Sequence, residues 1–184
     1  MNRTDVLGVG FDCLTRDETI EKAITLIEKQ NSAYMVTPNP EIVMQTWDND
    51  EVRSAVNNAD LVIPDGIGVV KAAKILGTPL KGRMPGIEIA GDILKYLSET
   101  GKSAFLLGSK PGIAELAAER MKRDFPGLNI CGTNDGYFKD EAPVIEAVNA
   151  ARPDILFVGF GAPKQEYFMF AHREELTSVR LMAG

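Results

Sequence analysis

Residues 61–69 read Leu61-Val62-Ile63-Pro64-Asp65-Gly66-Ile67-Gly68-Val69, and this stretch decides the fold. Leu61, Val62 and Ile63 form an apolar run that ends a buried strand. Pro64 lacks an N–H and stops ladder pairing on that side. Asp65 follows at the strand's carboxyl end, and Gly66 and Gly68 permit a tight turn into an apolar helical run from Val69 to Leu76. Open α/β sheets bind ligands outside the carboxyl ends of their strands, and a carboxylate placed there is available for proton transfer. Asp is also a common helix cap, so position alone leaves Asp65 open between a cap for the next helix and a chemical group.

The same grammar recurs along the chain. Ala33–Val36 reads as a strand ending in Thr37-Pro38-Asn39-Pro40-Glu41, where Thr37 and Asn39 offer a hydroxyl and an amide. Asn39 suits the cap of a helix with Pro40 at its first position. Ser103–Leu107 reads as a strand followed by Gly108-Ser109-Lys110-Pro111-Gly112 and a helix over Ile113–Arg123. Free N–H groups at such a helix start suit a phosphate, although the Walker A spacing is absent. Leu128–Gly132 leads to Asn134-Asp135-Gly136-Tyr137-Phe138, where Tyr137 fits either a stacking surface for a flat base or an aromatic plug. Asp154–Gly159 leads to Gly161-Ala162-Pro163-Lys164-Gln165-Glu166, with Gln165 and Glu166 in the first turn of a helix. A carboxylate at that place also favours the helix dipole without any ligand. Lys81-Gly82-Arg83-Met84-Pro85-Gly86 forms a basic loop, in which Arg83 is either a solvated charge or a fork for a phosphate.

Strands that are apolar runs, alternating with helices, predict a single α/β domain over residues 1–184 of Rossmann-like type: a mostly parallel sheet with helices on both faces. That arrangement brings Thr37, Asp65, Gly108 and Gln165 to one rim. Val6–Phe11 reads as one short bent or bulged strand carrying Gly8 and Gly10. A nicotinamide site is disfavoured there, because Cys13 stands where the third glycine of the dinucleotide fingerprint belongs. Thr15 and Glu18 form a capping-box pattern ahead of a helix. His172, the only histidine, falls late in the last helix, away from any strand end, where it reads as a surface or dipole-satisfying residue. Val179–Met182 reads as a final strand.

The net charge of −6 argues against a nucleic-acid binder driven by overall charge. Cys13 and Cys131 match neither a metal spacing nor a disulfide framework and read as small core residues of a reducing compartment. Met1–Asp5 is polar, so no signal peptide is expected, and no apolar run is long enough to span a membrane. Carboxylates do not cluster at one strand end, so no metal and no cofactor is expected. Met44, Trp47 and the apolar helices fit core or a homo-oligomer interface equally.

The set TPNPE, LVIPDGIGV, Arg83-Met84-Pro85-Gly86, LLGSKPG, DGYF and GFGAPKQE, in that order from about Phe11 to Gly184, resembles the WecG/TagA/CpsF glycosyltransferases, glycosyltransferase family twenty-six. The resemblance is strongest to the wall teichoic acid branch. It implies an inverting transferase that moves N-acetylmannosamine from a UDP donor to N-acetylglucosamine on a polyprenyl pyrophosphate. Other branches use UDP-N-acetylmannosaminuronic acid or glucose, and a nucleotide-binding module without transfer activity is the further alternative. Carried onto this chain, the resemblance makes Asp65 the general base, with Thr37 and Asn39 facing the sugars and Arg83 neutralising pyrophosphate. Gly108, Ser109, Asp135, Gly136, Tyr137, Gly161, Lys164, Gln165 and Glu166 would bind the donor. Met84 departs from the smaller aliphatic usual in the family. The family's basic, partly amphipathic C-terminal segment, used for membrane attachment and to complete the site, is not in this sequence. The resemblance thus places the protein in the cytoplasm, peripheral to the inner face of the membrane through that tail.

Overall fold

The computed structural model describes residues 3–29 and 31–184. Met1 and Asn2, which open the polar N-terminal stretch, lie outside them, as does Gln30. The chain runs β1 (Arg3–Val6), β2 (Val9–Asp12), α1 (Arg16–Glu28), β3 (Ala33–Val36), α2 (Pro40–Asp48), α3 (Asp50–Asn57), β4 (Leu61–Val62) and α4 (Ile67–Ile75). It continues through α5 (Gly86–Thr100), β5 (Ser103–Gly108), α6 (Ile113–Asp124), β6 (Asn129–Asn134), α7 (Ala142–Ala151), β7 (Ile155–Gly159), α8 (Lys164–Ala171) and β8 (Leu181–Ala183). Six strands form one sheet in the order β4-β3-β8-β7-β5-β6, and each neighbouring pair is parallel. The expected Rossmann-like α/β architecture is therefore the observed one.

Alternation along β3 shows why both faces are covered. Met35 packs with Ile27 of α1 and Ile89, Ile93 and Leu97 of α5. Its neighbours Tyr34 and Val36 point the other way, into a cluster with Val52 and Val56 of α3 and Phe168 and Met169 of α8. Apolar side chains on both faces explain the unbroken apolar runs of the sequence. The last strand, β8, is three residues long yet lies at the centre of the sheet, between β3 and β7, with Leu181 and Met182 fully buried. It starts two residues later than the sequence pattern predicts.

The N-terminal region corrects an expectation. Val6–Phe11 is not one bent strand but two halves of an antiparallel hairpin, β1 and β2, paired from Val6↔Val9 to Arg3↔Asp12. The turn residues Leu7 and Gly8 both have positive φ, 56° and 88°, the pattern of a two-residue type I′ hairpin turn. Leucine at the first of these positions hides a turn normally announced by Asn-Gly. The hairpin ends in Asp12, buried, whose carboxylate meets Lys22 Nζ at 2.8 Å and accepts the amide of Val62 at 2.8 Å. That bond covers the open edge of β4. Ile63 and Asp65 donate inward to Val36 and Pro38 at 3.0 and 3.2 Å, so alternation places the ring nitrogen of Pro64 on the edge side, where no ladder donor is needed.

The capping box is present: Glu18 N–H donates to Thr15 Oγ1 at 3.3 Å and Thr15 N–H to Glu18 Oε2 at 2.6 Å. Cys13 and Cys131 are free and partly buried against the core. Met44 and Trp47 are exposed on α2 rather than in the core. Among the described residues, no helix is long and apolar enough to cross a membrane.

Candidate functional site

Because all six strands are parallel, their carboxyl ends share a rim. Three motifs far apart in sequence lock together there. Asp65 N–H donates to Pro38 O at 3.2 Å, and Met84 N–H donates to Pro64 O at 2.9 Å. The N–H of Gly86, first residue of α5, donates to Asp65 Oδ2 at 3.2 Å. A Cβ on Gly86 would stand 3.0 Å from Thr37 Cγ2, and one on Gly68 only 2.7 Å from Pro40 Cγ. A side chain at either place would press against the Thr37–Pro40 turn and make it shift.

Asp65 does not cap the helix that follows it. The cap position of α4 is Gly66, which has no side chain to offer, and Asp65 instead reaches across to the start of α5. Pro85, at the cap of α5, supplies no acceptor, so the carboxylate stands at the positive end of that helix. Its other oxygen, Oδ1, lies 3.7 Å from Arg83 Nη2, with the Arg83 side chain about half exposed. Asp65 and Thr37 line a cavity of about 310 Å³ together with Gly86, Ile87, Phe157 and Gly184. The Thr37 hydroxyl donates to Gly184 O at 3.4 Å.

A larger cavity of about 880 Å³ adjoins it across Gly159, which lines both. Ser109, Lys110, Gly136, Tyr137 and Lys164 line it with the aromatic rings of Phe138, Phe160, Tyr167 and Phe168. Gly108 shapes its floor: φ is +133°, and the Ser109 amide donates to Gly159 O at 3.0 Å. Ser109 O in turn accepts the Gly136 amide at 2.9 Å, tying the β5 and β6 turns together. α6 begins beside this turn with Gly112 at its cap and no side-chain acceptor for its first amides. Uncapped N–H groups with two lysines nearby are suited to an anion.

The remaining candidates are placed as follows. Asn39 caps α2, accepting the Ile42 amide at 2.9 Å, and lines neither cavity. Asp135 accepts the Tyr137 amide at 2.7 Å and shapes the turn rather than the cavity wall. Gly161, with φ of +79°, donates its amide to Gln165 Oε1 at 3.2 Å. Gln165 Nε2 lies 3.1 Å from where a Cβ of Gly184 would be, so Thr37 and Gln165 meet at the same residue. Glu166 is 1% exposed and lines neither cavity. Burial pushes its carboxyl above the ordinary range.

His172 was not expected at the site, yet it forms a wall of the larger cavity. Its ring nitrogens lie 3.0 Å from Glu175 and 2.9 Å from Glu141, and the ring packs 4.8 Å from that of Phe168. It closes α8 at the cap position, in keeping with a dipole-satisfying role, but on the cavity wall and not on an open surface. No local pattern marks it. Phe160 was also missed, although its place just after β7 was a usable signal.

A parallel α/β sheet with a carboxylate pocket beside a larger, amide- and lysine-lined cavity on its carboxyl rim is the layout of an enzyme acting on a ligand bound across strand ends. The chain belongs to the glycosyl transferase WecG/TagA/CpsF family, whose model matches residues 4–184. It is 37% identical over 149 residues to the N-acetylglucosaminyldiphosphoundecaprenol N-acetyl-beta-D-mannosaminyltransferase of Bacillus spizizenii (strain ATCC 23059 / NRRL B-14472 / W23), covering 81% of this chain and 58% of that protein. It is 32% identical over 182 residues to the enzyme of the same name from Staphylococcus aureus (strain NCTC 8325 / PS 47), covering 98% of this chain and 72% of that one.

Proposed function

We propose that this chain carries the core of an inverting N-acetylmannosaminyltransferase, taking the sugar from a UDP donor to N-acetylglucosamine on undecaprenyl diphosphate, as in wall teichoic acid linkage-unit synthesis. The names of the relatives support the acceptor and the transferred sugar. The observation that carries the reading here is the convergence of Asp65, Arg83 and Thr37 beside one small cavity that shares its wall residue Gly159 with a larger one.

In this reaction the acceptor 4-hydroxyl oxygen attacks the anomeric carbon while the bond from that carbon to the β-phosphate oxygen breaks. The hydroxyl proton passes to Asp65, and the electron pair of the broken bond leaves on UDP. One displacement turns an α-linked donor into a β-linked product. A sugar hydroxyl is far too weak an acid to lose its proton unaided at pH 7, which is why a carboxylate within reach is needed. Arg83 and the uncapped amides of α6 are the fixed positive groups that would oppose the growing charge on pyrophosphate. Tyr137 and the Ser109 turn would hold the uridine end in the larger cavity. The working place of the protein is then the cytoplasmic face of the membrane, where the lipid-linked acceptor lies.

The test is a transfer assay with UDP-N-acetylmannosamine and a lipid-diphosphate N-acetylglucosamine acceptor, run on this chain and on one extended to the length of its relatives. A β-linked disaccharide product is expected. Product from UDP-glucose or UDP-N-acetylmannosaminuronic acid instead would reassign the donor, and UDP binding without any product from the extended chain would reduce the protein to a nucleotide-binding module.

A further inference from the structure

Glu166 is the one charged side chain of the rim that is almost wholly buried, and one of its oxygens is unaccounted for. Oε1 accepts from Gln165 Nε2 at 3.2 Å, while Oε2 has no hydrogen-bond partner among the described residues. Native folds rarely keep such a group without a use for it. At 1% exposed, it cannot itself touch a ligand. Its neighbour Gln165 is only partly buried and, although it lines neither cavity, its Nε2 stands against Gly184, a residue of the wall of the Asp65 cavity.

The two bonds of the Gln165 amide fix which way round it sits. Its oxygen accepts the Gly161 amide at 3.2 Å, and its nitrogen donates to Glu166. An amide held only by Gly161 could rotate about its last bonds. The carboxyl oxygen of Glu166 accepts but offers no donor at that atom, so it selects the nitrogen. An amide nitrogen carries two hydrogens, and Glu166 takes one. The other remains beside Gly184, whose carbonyl receives the Thr37 hydroxyl.

The geometry points to Glu166 as a positioning residue: its buried carboxyl orients the Gln165 amide so that the second N–H is presented to an oxygen of the donor sugar or its phosphate at the Thr37–Gly184 ledge. The inference rests on the transferase reading for its substrate.

Three single variants and one double variant test it. Glu166→Gln keeps an acceptor oxygen of the same size, and its turnover should stay within about threefold of the parent. Glu166→Met keeps the volume but removes the acceptor, and should lower kcat by about tenfold or more with the melting temperature unchanged or raised. Gln165→Ala should lower kcat similarly, and adding it to Glu166→Met should lower it no further, since the two act as one unit. Independently of turnover, the side-chain amide resonances of Gln165 in ¹⁵N-labelled protein should be widely separated in the parent and in Glu166→Gln, and should collapse toward free-amide values in Glu166→Met. Unchanged Gln165 resonances in Glu166→Met, or fully additive losses in the double variant, would overturn the proposal. A parent without transfer activity would count against the transferase reading alone, and the amide resonances would then decide the role of Glu166.

Discussion

The Cα of Gly108 lies so close to the end of β7 that a Cβ built on it would stand 2.3 Å from the carbonyl oxygen of Gly159. Its φ of +133° also lies outside the range open to L side chains. This contact lets the Ser109 amide reach Gly159 O and brings the β5 turn to the floor of the larger cavity. Gly108→Ala must therefore push two strand ends apart. Its unfolding free energy in urea should fall by about 1–3 kcal/mol, the usual range for a forced backbone shift. UDP affinity by calorimetry should fall with it, whereas Gly91→Ala, on α5 with nothing within 4 Å of its Cβ, should lose neither.

Asp65 can be separated from the fold that carries it. Its carboxylate accepts one hydrogen bond from Gly86, and an asparagine oxygen can accept the same bond. Asp65→Asn should thus melt within a few degrees of the parent and bind UDP as well. Without a base for the acceptor hydroxyl, kcat should drop about 10²–10⁴-fold. Unaltered turnover in a transfer assay would take Asp65 out of the chemistry.

Arg83 has an even weaker structural role. It is about half exposed and its guanidinium is 3.7 Å from Asp65, a distance at which an exposed pair contributes about 0–1 kcal/mol. Arg83→Gln should therefore leave the urea midpoint nearly unmoved. If the arginine meets the pyrophosphate, the same change should weaken transfer, and Arg83→Lys should recover only part of the loss, because a point charge cannot reproduce a planar two-pronged contact. Loss of stability without loss of transfer would assign it to the Asp65 loop alone.

The strand ends were legible because each joins an apolar run to a glycine or proline and then to a polar residue. This is so at Thr37, Asp65, Gly108 and Gln165, and all four meet on one rim. Strand order was not legible. Nothing in Leu181-Met182-Ala183 states that this short run fills the centre of the sheet, since that depends on which neighbours have free edges. The hairpin at Leu7-Gly8 was hidden by a leucine in a position that usually takes asparagine. His172 was hidden for a different reason: of its partners only Glu175 is near in sequence, and Glu141, at the cap of α7, is brought to it by the tertiary fold. Glu166 looked like an ordinary first-turn carboxylate. Its burial follows from its lying on the side of α8 that packs inward with Phe168 and Met169.

Acid should loosen the loop that carries Arg83 before it unfolds the core. Lys81, two residues earlier, meets Glu18 at 2.7 Å, bridging the start of α1 to that loop. The hydrogen bond from Lys81, followed by the capping bond from Thr15, pulls the Glu18 carboxyl down to about 2. A carboxyl held lower in the folded state than in the unfolded chain stabilises the fold at pH values above its unfolded pKa, about 4.3. That contribution is lost as pH falls from about 5 toward 2. Both partners are near half exposed, so the effect should be small and should shrink in high salt. Glu18→Gln should flatten the acid limb of stability between those pH values while leaving the plateau at pH 7 slightly lowered. Hydrogen exchange at the Met84 amide, which donates to Pro64 O at 2.9 Å, should rise in this variant at pH 7 as it does in the parent near pH 3, after correction for the intrinsic rate. An acid limb identical in the two proteins would show that the bridge between α1 and the Arg83 loop carries no linkage.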